Sequence, residues 1–313
     1  MQDQHKALAC GGLAVLVWST VATAFKIALE HLEPLQLLLV ADAVSALALF
    51  LLLAWRGRLD RLRAMPRAQV LRCCGLGVLN PFLYYAVLFQ SYALNPFLYY
   101  AVLFQSYALL PAQEAQPLNY TWAITLTLLS VPLLGQKLRA LDLAAILVSY
   151  AGVLCIATRG APLSLRFESP LGVALALGST LLWALFWIGN TRLTADPVAA
   201  LFLNFLAAFP CILAAVLLGP GLPGPGLTGL LAGAYVGLFE MGLTFVLWLQ
   251  AMRLAARSPQ GTARVANLIF LSPFLSLVLI HFVLGEDIRV STLLGLGLIV
   301  AGNALQRLKT ARS

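Results

Sequence analysis

Apolar runs of about 20 residues recur along this chain, each closed by a short polar break carrying glycine or proline. A helix rises about 1.5 Å per residue, so one such run crosses a hydrocarbon core of ~30 Å. The pattern predicts ten helices, at about 8–29, 34–55, 69–94, 112–134, 138–158, 170–192, 197–218, 228–252, 259–284 and 290–306. Breaks fall at Glu33-Pro34, Pro66, Pro111, Gly135, Gly160-Ala161-Pro162, Asp196-Pro197, Gly219 to Gly226, Ser258-Pro259 and Gly285. The expected fold is therefore all-α, a polytopic membrane protein of ten transmembrane helices.

A second periodicity organises those helices. Gly135, Arg139 and Gly152 in LLGQKLR…YAG fall on Gly285, Arg289 and Gly302 in VLGEDIR…VAG at one constant offset of 150 positions. Each copy is an apolar run, a glycine turn with polar residues, and another apolar run, which is a helix pair with a tight connection. Trp18 and Trp183, in VWST and LWAL, give a weaker match between the earlier helices. The chain thus divides into two five-helix units, 8–158 and 170–309. Five crossings is an odd number, so the units have opposite orientations and form an inverted 5+5 repeat, as in many secondary transporters.

One stretch stands outside that repeat. NPFLYYAVLFQSYAL at Asn80–Leu94 is followed at once by the identical NPFLYYAVLFQSYAL at Asn95–Leu109. With Gln69–Leu79 this makes about 40 apolar residues, or ~60 Å of helix, twice one crossing. Charge decides how to read it. With ten crossings and both termini inside, sixteen Lys and Arg lie on the cytoplasmic side, and only Arg159, Arg166 and Arg289 lie outside. An eleventh crossing would leave ten inside against nine outside and erase the bias, so one copy completes the third helix and the other is displaced. The predicted topology is multi-pass in the cytoplasmic (inner) membrane, with N and C termini inside.

Composition agrees: 61% hydrophobic and 10% charged residues cannot form the surface of a water-soluble fold. The net charge of +8 does not mark a nucleic-acid partner, because the basic residues sit at the ends of apolar runs. Cys10, Cys73, Cys74, Cys155 and Cys211 are odd in number and lie in or beside apolar runs, as small packing residues do. LACGG at Leu8–Gly12 has no apolar region ahead of it, which fits neither a cleaved signal nor a lipoprotein anchor.

Several motifs resemble one known family, the ten-helix EamA-like branch of the drug/metabolite transporter superfamily. PAQEAQPLNYTW at Pro111–Trp122 looks like the start of the fourth helix in its amino-acid exporters. GLFEMGLTFVLWLQAM at Gly237–Met252 resembles the eighth, and LSPF…VLGE at Leu271–Glu286 the ninth. Ala123 stands where that family's LNYxW motif continues with proline, and Gln136 where its LGE turn has glutamate. Gly295–Gly302, GLGLIVAG, resembles the GxxLIxxG dimerisation face of the small four-helix members, and Ala145…Ser149…Gly152 repeats it. Small residues at this spacing let backbones approach closely, so the fifth and tenth helices are expected to pack together. The resemblance implies a secondary transporter working by alternating access, with no cofactor, as a monomer or weak homodimer.

Charges inside a bilayer cost at least ~2.5–3.5 kcal/mol near its centre, so each needs a reason. Glu240 lies twelve residues from either end of the eighth run, too deep for a short side chain to reach water along the helix. Positions 233, 237, 240, 244 and 248 read Gly, Gly, Glu, Thr, Trp at helical spacing. Such a stripe suits a substrate amine at Glu240, near Thr244, with an apolar group against Trp248. A protonated, hydrogen-bonded structural glutamate is the plainer reading. The fourth helix adds Glu114, Asn119, Tyr120 and Trp122, and the ninth Asn267, whose amides suit either a ligand or an interhelical bond. Trp18 and Trp183 are pocket candidates, although tryptophans in membrane proteins also serve packing and interface anchoring. Asp42, eight residues into its helix, ranks second among the carboxylates. Lys26 near a helix end snorkels, and His281 is read as structural.

The leading reading is a proton-coupled or passive exporter of small amphipathic metabolites, amino acids first. No P-loop is present, so the chain has no ATP site of that type. A membrane-embedded enzyme would need clustered Ser/His/Asp or HExxH ligands, whereas His5, His31 and His281 are scattered. A sugar-phosphate or nucleotide-sugar carrier of the same superfamily would carry deep Lys or Arg, which this sequence lacks.

Overall fold

A computed structural model describes residues 2–83, 121–158, 170–224, 226–259, 261–272, 275 and 290–307. Among them there is no strand. Helix α1 spans Gln2–Leu29 and α2 Pro34–Trp55. A short α3, Leu59–Arg63, precedes α4, Arg67–Gly77, which runs on as a wide π turn over Val78–Leu83. Then come α5, Trp122–Leu134; α6, Ala140–Ala157; α7, Pro170–Arg192; and α8, Pro197–Leu218. Next are α9, Leu227–Tyr235, a π segment Val236–Gly242, and α10, Leu243–Ala255. The last are α11, Gly261–Asn267, with a 3₁₀ turn Leu268–Phe270, and α12, Val290–Arg307.

Local chemistry sets these limits. Prolines 34 and 197 occupy the first helical position of α2 and α8, where a missing N–H costs nothing. Asp196 caps α8, its carboxylate accepting from Val198 N (3.0 Å) and Ala199 N (3.4 Å). Gly135 ends α5 in the left-handed region, φ 65°, which its missing Cβ allows. The turn behind it is tied to the one before α11: Gln136 Nε2 donates to the Ala256 carbonyl (3.1 Å), Gln136 Oε1 accepts from Thr262 N (3.4 Å), and Lys137 N donates to the Pro259 carbonyl (2.7 Å). An amide both donates and accepts there, whereas an ionised glutamate could only accept.

The observed helices match the predicted limits of the second, sixth and seventh runs, 34–55, 170–192 and 197–218. The first helix begins six residues before the predicted Leu8, and α3 was not foreseen. Among the described residues three helices are long and apolar enough by themselves to cross a membrane, Pro34–Trp55, Pro197–Leu218 and Leu227–Ala255. Trp122–Leu134, Ala140–Cys155 and Leu293–Leu305 are apolar but shorter. Of the tandem copies only Asn80–Leu83 is described. There Asn80 is extended (φ −154°, ψ 124°), as a residue before proline tends to be, and it interrupts the helix where the first copy starts.

The described helices bury a large apolar core with a smaller cluster beside it and turn leucines outward, with Leu47 57%, Leu231 61% and Leu294 62% exposed. Unpaired leucines on so many outer faces suit lipid rather than water. Helix α2 packs on α8, α1 on α9 and α10, α4 on α8, α5 on α7, and α6 on α12. The last pair meets the expectation for the fifth and tenth helices. A Cβ at Gly152 would strike the Gly295 carbonyl and Ile299, and one at Gly302 would strike Ser149 and the Ala145 carbonyl. The Ser149 hydroxyl faces the Ile299 carbonyl at 3.5 Å. Cys73, fully buried with Leu193, Ala200 and Leu203, is a packing residue as expected.

Candidate functional site

Four of the predicted site residues come together at the centre. Trp18 of α1, Trp122 of α5, Trp183 of α7 and Trp248 of α10 form one cluster. Ring centroids are 5.1 Å apart for Trp18–Trp248, 5.6 Å for Trp122–Trp248, 6.0 Å for Trp122–Trp183 and 6.5 Å for Trp18–Trp183. The Trp122 contacts are edge-on, the arrangement the ring quadrupoles favour. Trp187, not singled out from the sequence, extends the cluster to Trp183 (5.8 Å) and Phe245 (4.9 Å). It sits four residues after Trp183, one turn along the same face of α7, and that spacing was the available signal. The four predicted tryptophans are at most 9% exposed, so the rings cover one another rather than a void. A ligand can enter between them only when the rings part.

Glu240 lies beside this cluster on the π segment. A π turn inserts one extra residue into the helix and loosens its regular i→i−4 ladder, which is why such turns collect at functional positions. Here the Thr244 hydroxyl bonds to the Phe239 carbonyl, five residues back. The Glu240 carbonyl accepts the indole N–H of Trp18 at 3.1 Å. The Glu240 side chain is partly exposed, and its carboxylate makes no ion pair or hydrogen bond among the described residues.

The same extra residue divides the predicted stripe. Gly233 faces Val40 and Leu37, and Gly237 the Ala41 backbone, so both serve the close approach of α2. Thr244 and Trp248 are buried, and Trp248 alone of the stripe joins the ring cluster. On the other faces of this run Leu231 turns outward, while Phe245 and Leu249 are fully buried.

Asn267 is fully buried at the end of α11, which packs on α1, α5 and α10. Asn119 and Tyr120, with Glu114 and His281, lie outside the described residues, as does the Lys26 side chain. Asp42, ranked second for depth, is fully buried, and neither carboxylate oxygen has a partner among the described residues. Distance from a helix end misjudged it, because α8 and the π segment pack over it. The amides of Asn190 and Asn204 bond each other at 3.0 Å between α7 and α8, a buried polar contact not foreseen. Arg253 closes the C-terminal end of α7, donating from Nε (3.3 Å) and Nη2 (2.9 Å) to the Asn190 carbonyl and from Nη1 (2.5 Å) to the Ala195 carbonyl.

Among the described residues no group of three or more His, Cys, Asp or Glu is placed to hold a metal. A solved crystal structure of a protein 22% identical in sequence superposes with a TM-score of 0.77, covering 98% of this chain and 99% of that one. At that identity the likeness concerns the fold. No curated protein sequence matches significantly. The model of the EamA-like transporter family matches residues 5–158 and 170–306, which is nearly all of the chain apart from the connection between two halves. The protein belongs to the EamA-like transporter family and is an integral membrane transporter of the drug/metabolite transporter superfamily.

Proposed function

We propose that the protein exports small amphipathic amines, amino acids first, by alternating access, exchanging substrate against a proton at Glu240. The observation that carries this reading is the junction of the Glu240 turn with the tryptophan cluster through Trp18. A carboxylate borne on the turn that Trp18 holds, together with the indole faces of the cluster, would suit an ammonium group, which the first attracts by charge and the second by their quadrupoles. The apolar part of the substrate would lie among the rings of Trp18, Trp122, Trp183 and Trp248. Asn119, Tyr120, Thr244 and Asn267 would supply polar contacts to its carboxylate.

The two halves act as an inverted repeat of ten crossings, 8–158 and 170–309, with both termini cytoplasmic. Reciprocal packing supports this. Gly152 meets positions 295 and 299, Gly302 meets 145 and 149, and each set is the other shifted by 150. That reciprocity is what a two-fold relation produces. The α2–α8 pair relates to itself in the same way, and α1 on α10 corresponds to α7 on α4. Since the small-residue face of α12 is covered by α6 of the same chain, it is not free to join two copies, which supports a monomer. Overproduction should let cells grow on inhibitory amino acids or analogues with apolar side chains. Unchanged sensitivity across such a panel, with the protein in the membrane, would contradict amino-acid export.

A further inference from the structure

A cavity of about 370 Å³ opens where the ends of α2 and α10 meet the start of α8. Its wall holds Arg56, Arg58, Arg61, Arg253 and Arg257, with Asp196 the one carboxylate among the described lining residues. Both oxygens of Asp196 have their acceptor positions filled. Its Oδ2 accepts from Arg58 (3.0 Å) and Arg61 (3.1 Å), and its Oδ1 caps α8. Arg257 pairs with Asp3 at the rim (3.0 Å). Arg253 spends its bonds on neutral carbonyls, and the Arg56 side chain makes no ion pair or hydrogen bond among the described residues. Thr194, whose hydroxyl oxygen already accepts from Gln69 Nε2 (2.8 Å), has its O–H left to donate. The cavity therefore collects positive charge and donors in excess of any acceptor it contains.

We propose that this cavity binds a phosphate group, carried by an anionic lipid headgroup or by a small soluble phosphate. A carboxylate is satisfied by one guanidinium fork, whereas phosphate offers three or more acceptor oxygens and up to two charges, which matches several arginines around one space. The position also fits a membrane surface. Trp55, 83% exposed on the last turn of α2, stands directly before Arg56, and Leu51, 56% exposed, lies one turn deeper. That order of apolar, aromatic and basic residues is the order of acyl chain, interface and headgroup. The plainer role of these arginines is to hold the loops on the cytoplasmic side, a role that needs neither a shared cavity nor a saturated carboxylate. The inference rests on the membrane reading but not on substrate, coupling or export, and it is tested without transport.

The test is titration of the purified full chain in neutral detergent with short-chain phosphatidylglycerol, with glycerol phosphate, and with short-chain phosphatidylcholine and sodium chloride as controls. Binding of either phosphate probe above both controls is expected, with affinity falling about fivefold for Arg56→Gln and again for Arg61→Gln. Binding of phosphatidylglycerol without glycerol phosphate assigns the site to lipid, and comparable binding of both assigns it to a soluble phosphate. Wild-type protein that binds neither probe above the controls overturns the proposal. So does unchanged affinity in folded Arg56→Gln protein, which loses no bond seen among the described residues.

Discussion

The indole N–H of Trp18 and the backbone carbonyl of Glu240, 222 positions apart, meet at 3.1 Å. The bond ties α1 to the one turn of the eighth run where the α-helical ladder is widened, so the position of the carboxylate depends on a residue from the other half. Trp18→Phe keeps a ring in the cluster and removes only the donor. It should cost about 1 kcal/mol of stability and lower transport more than expression. Melting in detergent compared with initial transport rate separates the two effects, and a wild-type transport rate would deny the bond a positioning role.

The α6–α12 seam should be the least tolerant of added volume. Gly302→Leu would force a side chain against the Ala145 carbonyl and Ser149, and Gly152→Leu against the Gly295 carbonyl. Overpacking of this kind costs about 1–3 kcal/mol or more. Thermal melting should show similar losses for the two variants, because their surroundings are reciprocal. A large loss for one and none for the other would break the two-fold relation.

Topology follows from the charge count. A reporter active only in the cytoplasm should be on when fused after Arg63, Arg139, Arg257 or Arg312 and off after Pro223. If the signal is lost from Arg139 onward, the tandem copy crosses the membrane and the ten-helix reading fails.

Deletion of residues 95–109 should preserve or raise expression and transport, because it leaves one copy to complete the third helix at normal length. In a continuous helix 15 residues at about 100° each turn the second copy by about 60°, so the two cannot present the same face. Loss of transport in a deletion variant that still reaches the membrane would show that both copies are needed.

Much of this fold is legible in the sequence, because membrane spans announce themselves. Apolar length and Pro or Gly breaks place α2, α7 and α8 to the residue, and the 150-residue offset points to the α6–α12 seam. Each tryptophan has its own signal, the stripe for Trp248, the LNYTW stretch for Trp122 and the VWST and LWAL match for Trp18 and Trp183, but their convergence depends on which helices pack together. Two features could not be read at all. The π segment Val236–Gly242, packed against α2 and α1, breaks the register of a stripe drawn at 3.6 residues per turn, and Gly233 and Gly237 face α2. Asp42 misled because depth counted along one helix ignores α8 and the π segment packed across it.

Glu240 is the group proposed to alternate between proton and substrate, and the transport cycle turns on it. Glu240→Gln keeps its size and polarity and removes the titration. The deciding measurement is amino-acid accumulation by purified protein in liposomes with an imposed pH gradient. The account predicts that Glu240→Gln protein inserts and melts like wild type, loses uphill accumulation and retains downhill exchange. Accumulation at the wild-type rate would contradict it and make the glutamate structural.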